Sequence, residues 1–210
     1  MSKTRHTDQR VSIPLARGDR ATADLLAEAG FDVRTDLGQH FLRSQDAAYR
    51  LLDCADLADE DQVLEVGAGL GTLSGTVAES GRRIWAVEKD RRLGSILQDV
   101  LRRFGPRARV SISDVREVDL DDGLVAGAVL LAIMPFDWEL SVVLTRYVFA
   151  STPKVERGLV VVPSRTLEQY QEASEEASGL RLREVDGISR SEFWPKAPEA
   201  LRVVSIERRR

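Results

Sequence analysis

The segment Val63-Leu64-Glu65-Val66-Gly67-Ala68-Gly69-Leu70-Gly71 decides how the chain is read. Gln62 to Val66 is a short apolar run stopped by glycines, the pattern of a strand buried on both faces. Alternating glycines let a backbone turn tightly and let a ligand lie close against it. The helix signalled by Leu73 and Val77 then offers unpaired N–H groups at its start. Outward from this point the elements alternate. Arg43 to Leu57 spaces Ala47, Ala48, Leu51, Leu52 and Ala55 as a helix, and Ile84 to Val87 reads as a second strand. Leu93, Ile96, Leu97, Val100, Leu101 and Phe104 stripe the next helix, and Val110 to Ile112 and Val129 to Met134 are strands three and four. Leu140, Val143, Leu144 and Tyr147 mark a helix, Leu159 to Val162 a fifth strand, Leu167 to Ala177 a polar helix, and Leu201 to Ile206 a closing strand. Strands alternating with helices predict an α/β domain with a mostly parallel sheet covered on both faces.

In such a sheet, ligands sit beyond the carboxyl ends of the strands where the strand order reverses, so acidic residues at those ends carry information. Glu65 stands two residues before Gly67. An acid there suits a ligand with an ammonium or sulfonium centre better than one with a pyrophosphate. Glu88 closes the second strand about twenty residues after Gly67, the spacing at which a carboxylate takes ribose hydroxyls. Asp114, after the third strand, is placed to accept from an adenine amino group. Each acid taken alone also reads as a solvated strand-end residue. At three successive strand ends they favour an adenosyl ligand, with a nicotinamide dinucleotide as the weaker alternative.

These residues also carry a resemblance. Ala23 to Phe31, then Leu37-Gly38-Gln39-His40-Phe41-Leu42, Glu65 to Gly71, Val87-Glu88-Lys89-Asp90 and Ser113-Asp114 resemble the ribosomal RNA adenine N6-dimethyltransferases, a group that includes the erythromycin-resistance methyltransferases. Phe193-Trp194-Pro195-Lys196-Ala197-Pro198 is similar to a late segment of the same family. The resemblance implies a Rossmann-like class I methyltransferase fold with a seven-stranded sheet and S-adenosylmethionine (SAM) as cofactor. Residues 37–210 would form the SAM-binding domain, and the sequence pattern reads residues 1–36 as a partly ordered arm with a short helix around Ala21 to Ala29. His40 and Leu42 would contact SAM, Gly67, with Gly69 and Gly71 in the same loop, would lie against its methionine part, Glu88 would hold the ribose and Asp114 the adenine. His40 occupies a position that is usually Asn in the family.

The departures are as informative. After strand four the family carries Asn-Leu-Pro-Tyr or a close variant, in which an Asn oxygen orients the adenine amine. Here the loop reads Ile133-Met134-Pro135-Phe136, so the aromatic ring is kept and the side-chain acceptor is lost. Thr35-Asp36 replaces the basic pair that commonly precedes the Gln-x-Phe-Leu element, and the sequence is expected to lack the family's C-terminal helical module. The net charge of −4 counts against a dedicated nucleic-acid surface, although Arg82-Arg83, Arg91-Arg92, Arg102-Arg103 and the final three arginines leave room for a basic patch. The expected acceptor is therefore a small molecule entering over Pro135, Phe136, Asp137 and Trp138, with RNA disfavoured. Phe136 and Trp138 would supply a wall or a cation-π contact, and Asp137 or Glu139 a base. Against that, Trp138 equally reads as core packing, and the two acids as helix N-terminal charges.

Two alternative classes stay open: an RNA adenine methyltransferase that borrows its RNA grip from a partner, and a non-catalytic SAM-binding module. A metal centre is not expected with one cysteine and two histidines, and Cys54 lies in an apolar helical stripe as a packing residue. No apolar run approaches membrane-spanning length, and the polar first ten residues lack a signal-peptide pattern, so a cytoplasmic location is expected.

Overall fold

The computed structural model describes residues 22, 24, 26, 27, 30–35, 38–176 and 179–209. Most of the arm predicted over residues 1–36 lies outside these. Of the helix expected around Ala21 to Ala29, Thr22, Asp24, Leu26 and Ala27 are described and helical.

A seven-stranded sheet forms the centre. In chain order its strands are β2 (Gln62–Val66), β3 (Arg83–Glu88), β4 (Ala108–Ile112), β5 (Ala128–Ile133), β6 (Val155–Pro163), β7 (Leu180–Ile188) and β9 (Leu201–Arg208). A separate two-stranded ribbon pairs β1 (Phe41–Leu42) with β8 (Phe193–Trp194). The sheet order is β4-β3-β2-β5-β6-β9-β7. The first five strands run parallel, and β9 is antiparallel to both β6 and β7. The chain winds from β2 outward through β3 and β4, then returns to β5 on the other side of β2. That reversal opens a crevice beyond the ends of β2 and β5, where ligands bind in sheets of this kind.

The helices α1 (Gln45–Ala55), α2 (Thr72–Glu79), α3 (Gly94–Arg102), α4 (Leu120–Gly123), α5 (Trp138–Ser151) and α6 (Leu167–Glu176) divide between the two faces. Side chains alternate across a strand, so neighbours on β2 enter different cores. Val63 joins Leu51 of α1, Val77 of α2 and Leu97 of α3, whereas Leu64 and Val66 join Leu120 of α4, Phe149 of α5 and Tyr170 of α6. All five β2 side chains are buried, as a strand covered on both faces requires. Burial pushes the Tyr170 hydroxyl's pKa well above the ordinary range, and Thr145 is its partner.

Local chemistry sets the helix ends. Ser44 caps α1 by accepting from the Ala47 N–H at 3.1 Å, and Asp56 ends it with a left-handed backbone at φ 47°. The six strands located by apolar periodicity are all present. The seventh, β7, escaped because its residues alternate apolar with charged only over Leu180 to Arg183 and then pass through a register shift between Glu184 and Asp186. The β1–β8 ribbon escaped because each strand has two residues and the pairing joins distant parts of the chain. Among the described residues, no helix is long and apolar enough to cross a membrane.

Candidate functional site

A cavity of about 560 Å³ opens at the switch point between β2 and β5. Its walls include His40, Leu42, Glu65, Gly67, Gly69, Glu88, Ile133, Pro135 and Phe136, nine of the residues singled out from sequence.

The glycine loop forms the floor. Gly67, Gly69 and Gly71 all have positive φ (80°, 56° and 82°), a conformation that other residues adopt only with strain. The N–H groups of Gly67 and Ala68 donate to the Val87 carbonyl at 2.9 and 3.2 Å, folding the loop back onto β3. The three glycines differ in what surrounds them. A Cβ on Gly67 would meet only the Ile133 carbonyl oxygen at 3.9 Å, so this backbone stays open to the cavity. On Gly69 it would come within 3.2 Å of the Phe41 ring, and on Gly71 within 2.9 Å of Leu97 Cδ1. Gly71 is absent from the cavity wall. It precedes α2 and lets that helix pack on α3.

Two acids stand under and beside this loop. Glu65 is 3% exposed and takes a hydrogen bond from the Ser74 hydroxyl on α2. Burial pushes its pKa up to about 8, Ser74 opposes the shift and the nearby Glu88 adds to it. Glu88 accepts from the Gly69 N–H and the Asp90 N–H, each at 2.7 Å, and burial raises its pKa as well. Each Glu88 oxygen has one backbone donor and keeps a second lone pair for a ligand hydroxyl.

Asp114 does not reach the cavity wall. Its carboxylate takes Arg116 at 2.6 Å and Lys89 at 2.9 Å, and these cations hold its pKa far below the usual carboxylate range. Lys89, by contrast, lines the cavity. The acids therefore do not converge as three equals: Glu65 and Glu88 face the crevice, and Asp114 stands behind Lys89.

The far wall is the loop after β5. Pro135 and Phe136 line the cavity, whereas Asp137 and Trp138 are not among the lining residues. Asp137 caps α5, accepting from the Leu140 N–H at 3.0 Å, and Trp138 packs against the core on the α5 side. The expected acceptor mouth is thus narrowed to Pro135 and Phe136. An acid ahead of an apolar helix is the ordinary signature of a cap, and the sequence could not separate that from a base.

The Gln39-His40-Phe41-Leu42 element closes the site from above. Pairing of Phe41 with Trp194 and Leu42 with Phe193 ties it to the late segment. The His40 Nδ1 atom lies 2.8 Å from the Pro195 carbonyl oxygen, and its ring meets Phe136 edge to face with centroids 5.1 Å apart. Gln39 donates to Asp90 at 2.7 Å and accepts from the Arg34 N–H at 2.8 Å. Arg92 binds Asp90 in turn, which lowers the Asp90 pKa. Gln39, Lys89 and Asp90 are wall residues that sequence reasoning left without a role, and Arg91 and Arg92, also on the wall, were read only as a basic doublet. Their adjacency to Glu88 and His40 was the available signal.

This donor set fits an adenosyl ligand with a cationic amino-acid tail. It offers backbone left bare at Gly67, a two-oxygen acceptor at Glu88, a buried acid at Glu65 without a cationic partner among the described residues, and apolar walls at Leu42, Ile133 and Phe136. Cavities of this size commonly hold cofactor-sized ligands.

A family model described as ribosomal RNA adenine dimethylase matches residues 30–126. The ribosomal RNA small subunit methyltransferase A of Acidothermus cellulolyticus is 31% identical over 223 residues, 99% of this chain and 74% of that protein. The chain belongs to the ribosomal RNA adenine dimethylase family. Its members are class I methyltransferases that use SAM. The Opitutus terrae protein of the same description is 43% identical over 86 residues, 41% of this chain but only 31% of that relative's length. Among solved structures, the 23S rRNA methyltransferase ErmE superposes with a TM-score of 0.65 at 20% identity, covering 80% of this chain and 70% of that one. A dimethyladenosine transferase from Plasmodium falciparum gives 0.65 at 17% identity, covering 80% and 63%. At such identities the likeness is one of fold, and the fold is the α/β one expected from the strand pattern and, in its Rossmann-like form, from the family resemblance.

Proposed function

We propose that this member of the dimethylase family transfers a methyl group from SAM to a small-molecule acceptor seated on Phe136. The observation that carries the reading is the contrast across one cavity. The cofactor side has its glycine floor and paired acids, while the loop facing it has Ile133, which offers no side-chain acceptor to an adenine amine.

On this reading Gly67 lies against the amino-acid tail, and Glu88 accepts the ribose hydroxyls with its free lone pairs. Glu65 ionises beneath the cationic tail. His40 and Leu42 cover the ligand, with Gly69 shaping the loop and Gly71 fixing it to α3. Asp114 enters only where its carboxylate exchanges the exposed Lys89 for an adenine amino group. SAM when bound supplies a methyl carbon activated by its sulfonium, with a neutral thioether as leaving group. The protein's task is then alignment and exclusion of water. Phe136 and Pro135 form the apolar wall against which an acceptor can be held in line.

A second reading keeps ribosomal RNA as acceptor. It is favoured by the names of the relatives and by the exposed cations Lys89, Arg91 and Arg92 on the cavity wall. One experiment addresses both. The protein is incubated with methyl-labelled SAM and, separately, with fractionated RNA and small metabolites, beside Glu88→Ala. Label is expected in a metabolite fraction, and none with the variant, which should stay folded and bind SAM at least tenfold more weakly. Label in ribosomal RNA adenine would replace the first reading with the second. Unchanged SAM affinity in the variant would remove Glu88 from the site.

A further inference from the structure

The cavity wall holds one nitrogen whose protonation state is dictated by its neighbour. A carbonyl oxygen can only accept, so the His40 Nδ1 atom at 2.8 Å from the Pro195 oxygen must carry the proton. In the neutral ring this leaves the lone pair on Nε2, which has no hydrogen-bond partner among the described residues. Several other polar side chains of the wall already have partners. Glu65 is held by Ser74, Glu88 by the Gly69 and Asp90 N–H groups, Asp90 by Arg92 and Gln39, and Lys89 by Asp114. His40 also stands on the acceptor side. Its ring contacts Phe136, and a Cβ on the nearby Gly38 would lie 3.8 Å from the Phe136 nitrogen, so this segment runs along the loop after β5.

We infer that His40 Nε2 is the proton acceptor for the group being methylated, filling the place that Ile133 leaves without an acceptor. The inference rests on the function proposed above. The acceptor's N–H or O–H heteroatom forms a bond to the methyl carbon as the carbon–sulfur bond breaks and its electron pair returns to sulfur. The acceptor's proton passes to Nε2. The resulting imidazolium keeps its Nδ1–H bond to Pro195, so the transfer needs no rearrangement of the ring.

The test uses known ligands and needs no identified acceptor. The chain has two histidines, so long-range proton–nitrogen spectra of the free protein at pH 8, compared with those of His40→Phe, assign the His40 ring directly. A proton on Nδ1 is expected, and a proton on Nε2 overturns the inference. Calorimetry then compares S-adenosylhomocysteine with sinefungin, which bears an amine where the transferred methyl sits in SAM. The wild-type protein should prefer sinefungin by about tenfold more than His40→Phe does, the worth of one charge-assisted hydrogen bond. Equal preference in the two proteins overturns the inference and leaves the methyltransferase reading intact. Failure of the wild-type protein to bind either ligand overturns that reading instead, and the inference with it.

Discussion

Glu65→Gln probes the floor of the site without changing its shape. The Glu65 carboxyl is 3% exposed, has no cationic partner among the described residues, and has its pKa raised by burial from 4.5 to about 8. Between those values the folded protein holds a proton that the unfolded chain has released. Stability then falls as pH rises, by about 1.4 kcal/mol per pH unit for this one group. Over the whole window the loss is on the order of 5 kcal/mol, all of it present above pH 8 and none below pH 4.5. Glutamine has nearly the same volume, keeps an oxygen for the Ser74 hydroxyl and does not titrate. Urea denaturation of both proteins at pH 5, 6, 7 and 8 should give curves that nearly coincide at pH 5 and separate steadily, with the variant the more stable. The same comparison made with SAM reverses the advantage. Ionised Glu65 faces a cationic ligand, so wild-type affinity should rise with pH up to about 8, while that of the variant changes less. Parallel stability curves, with a constant offset from pH 5 to 8, would refute the claim that Glu65 is protonated in the free protein.

The two outer glycines of the loop should separate in their effects. Gly71→Ala sets a Cβ 2.9 Å from Leu97 in a strained backbone and should cost about 1–3 kcal/mol in thermal or urea unfolding, whereas Gly67→Ala should lose less stability and weaken SAM binding measured by calorimetry. Asp137→Ala should lose about 1 kcal/mol through the α5 cap, and Asp137→Ser should recover most of it in the same unfolding assay, an outcome that a purely catalytic role would not produce.

The parts of the fold that were legible are those written in local periodicity. The run Val63 to Val66, stopped by glycines, fixes a doubly buried strand, and the stripe from Leu93 to Leu101 fixes α3, because burial on a sheet imposes both patterns. Glu65 and Glu88 were legible as residues of one cavity because strand ends at a switch point face one crevice. The rest needed coordinates for particular reasons. Gly67 and Gly71 are the same residue in the same backbone region, and only Leu97 tells which one serves packing. Asp114 and Asp137 have the same local signature as Glu88, an acid after a strand or before a helix. Their roles are set by Lys89 and Arg116 in one case and by the Leu140 N–H in the other. The bond between His40 and Pro195 spans 155 positions and follows no periodicity.

That last contact separates the two halves of the site by how they are built. The cofactor half comes from β2, the glycine loop and the end of β3, held by bonds that run within Gly67 to Asp90, such as Gly67 to Val87 and Gly69 to Glu88. On the proposed function the acceptor half is assembled from distant pieces, since Phe136 follows β5, His40 precedes β1, and the Pro195 carbonyl that meets His40 follows β8. Substitutions between Arg190 and Pro198 should therefore act first on how His40 meets Phe136, and reach the glycine loop through Phe41, which abuts Gly69, and Gln39, which binds Asp90. On the proposed function, the determinants of acceptor choice are Ile133, Phe136, His40 and the segment around β8, rather than the glycine loop and Glu88.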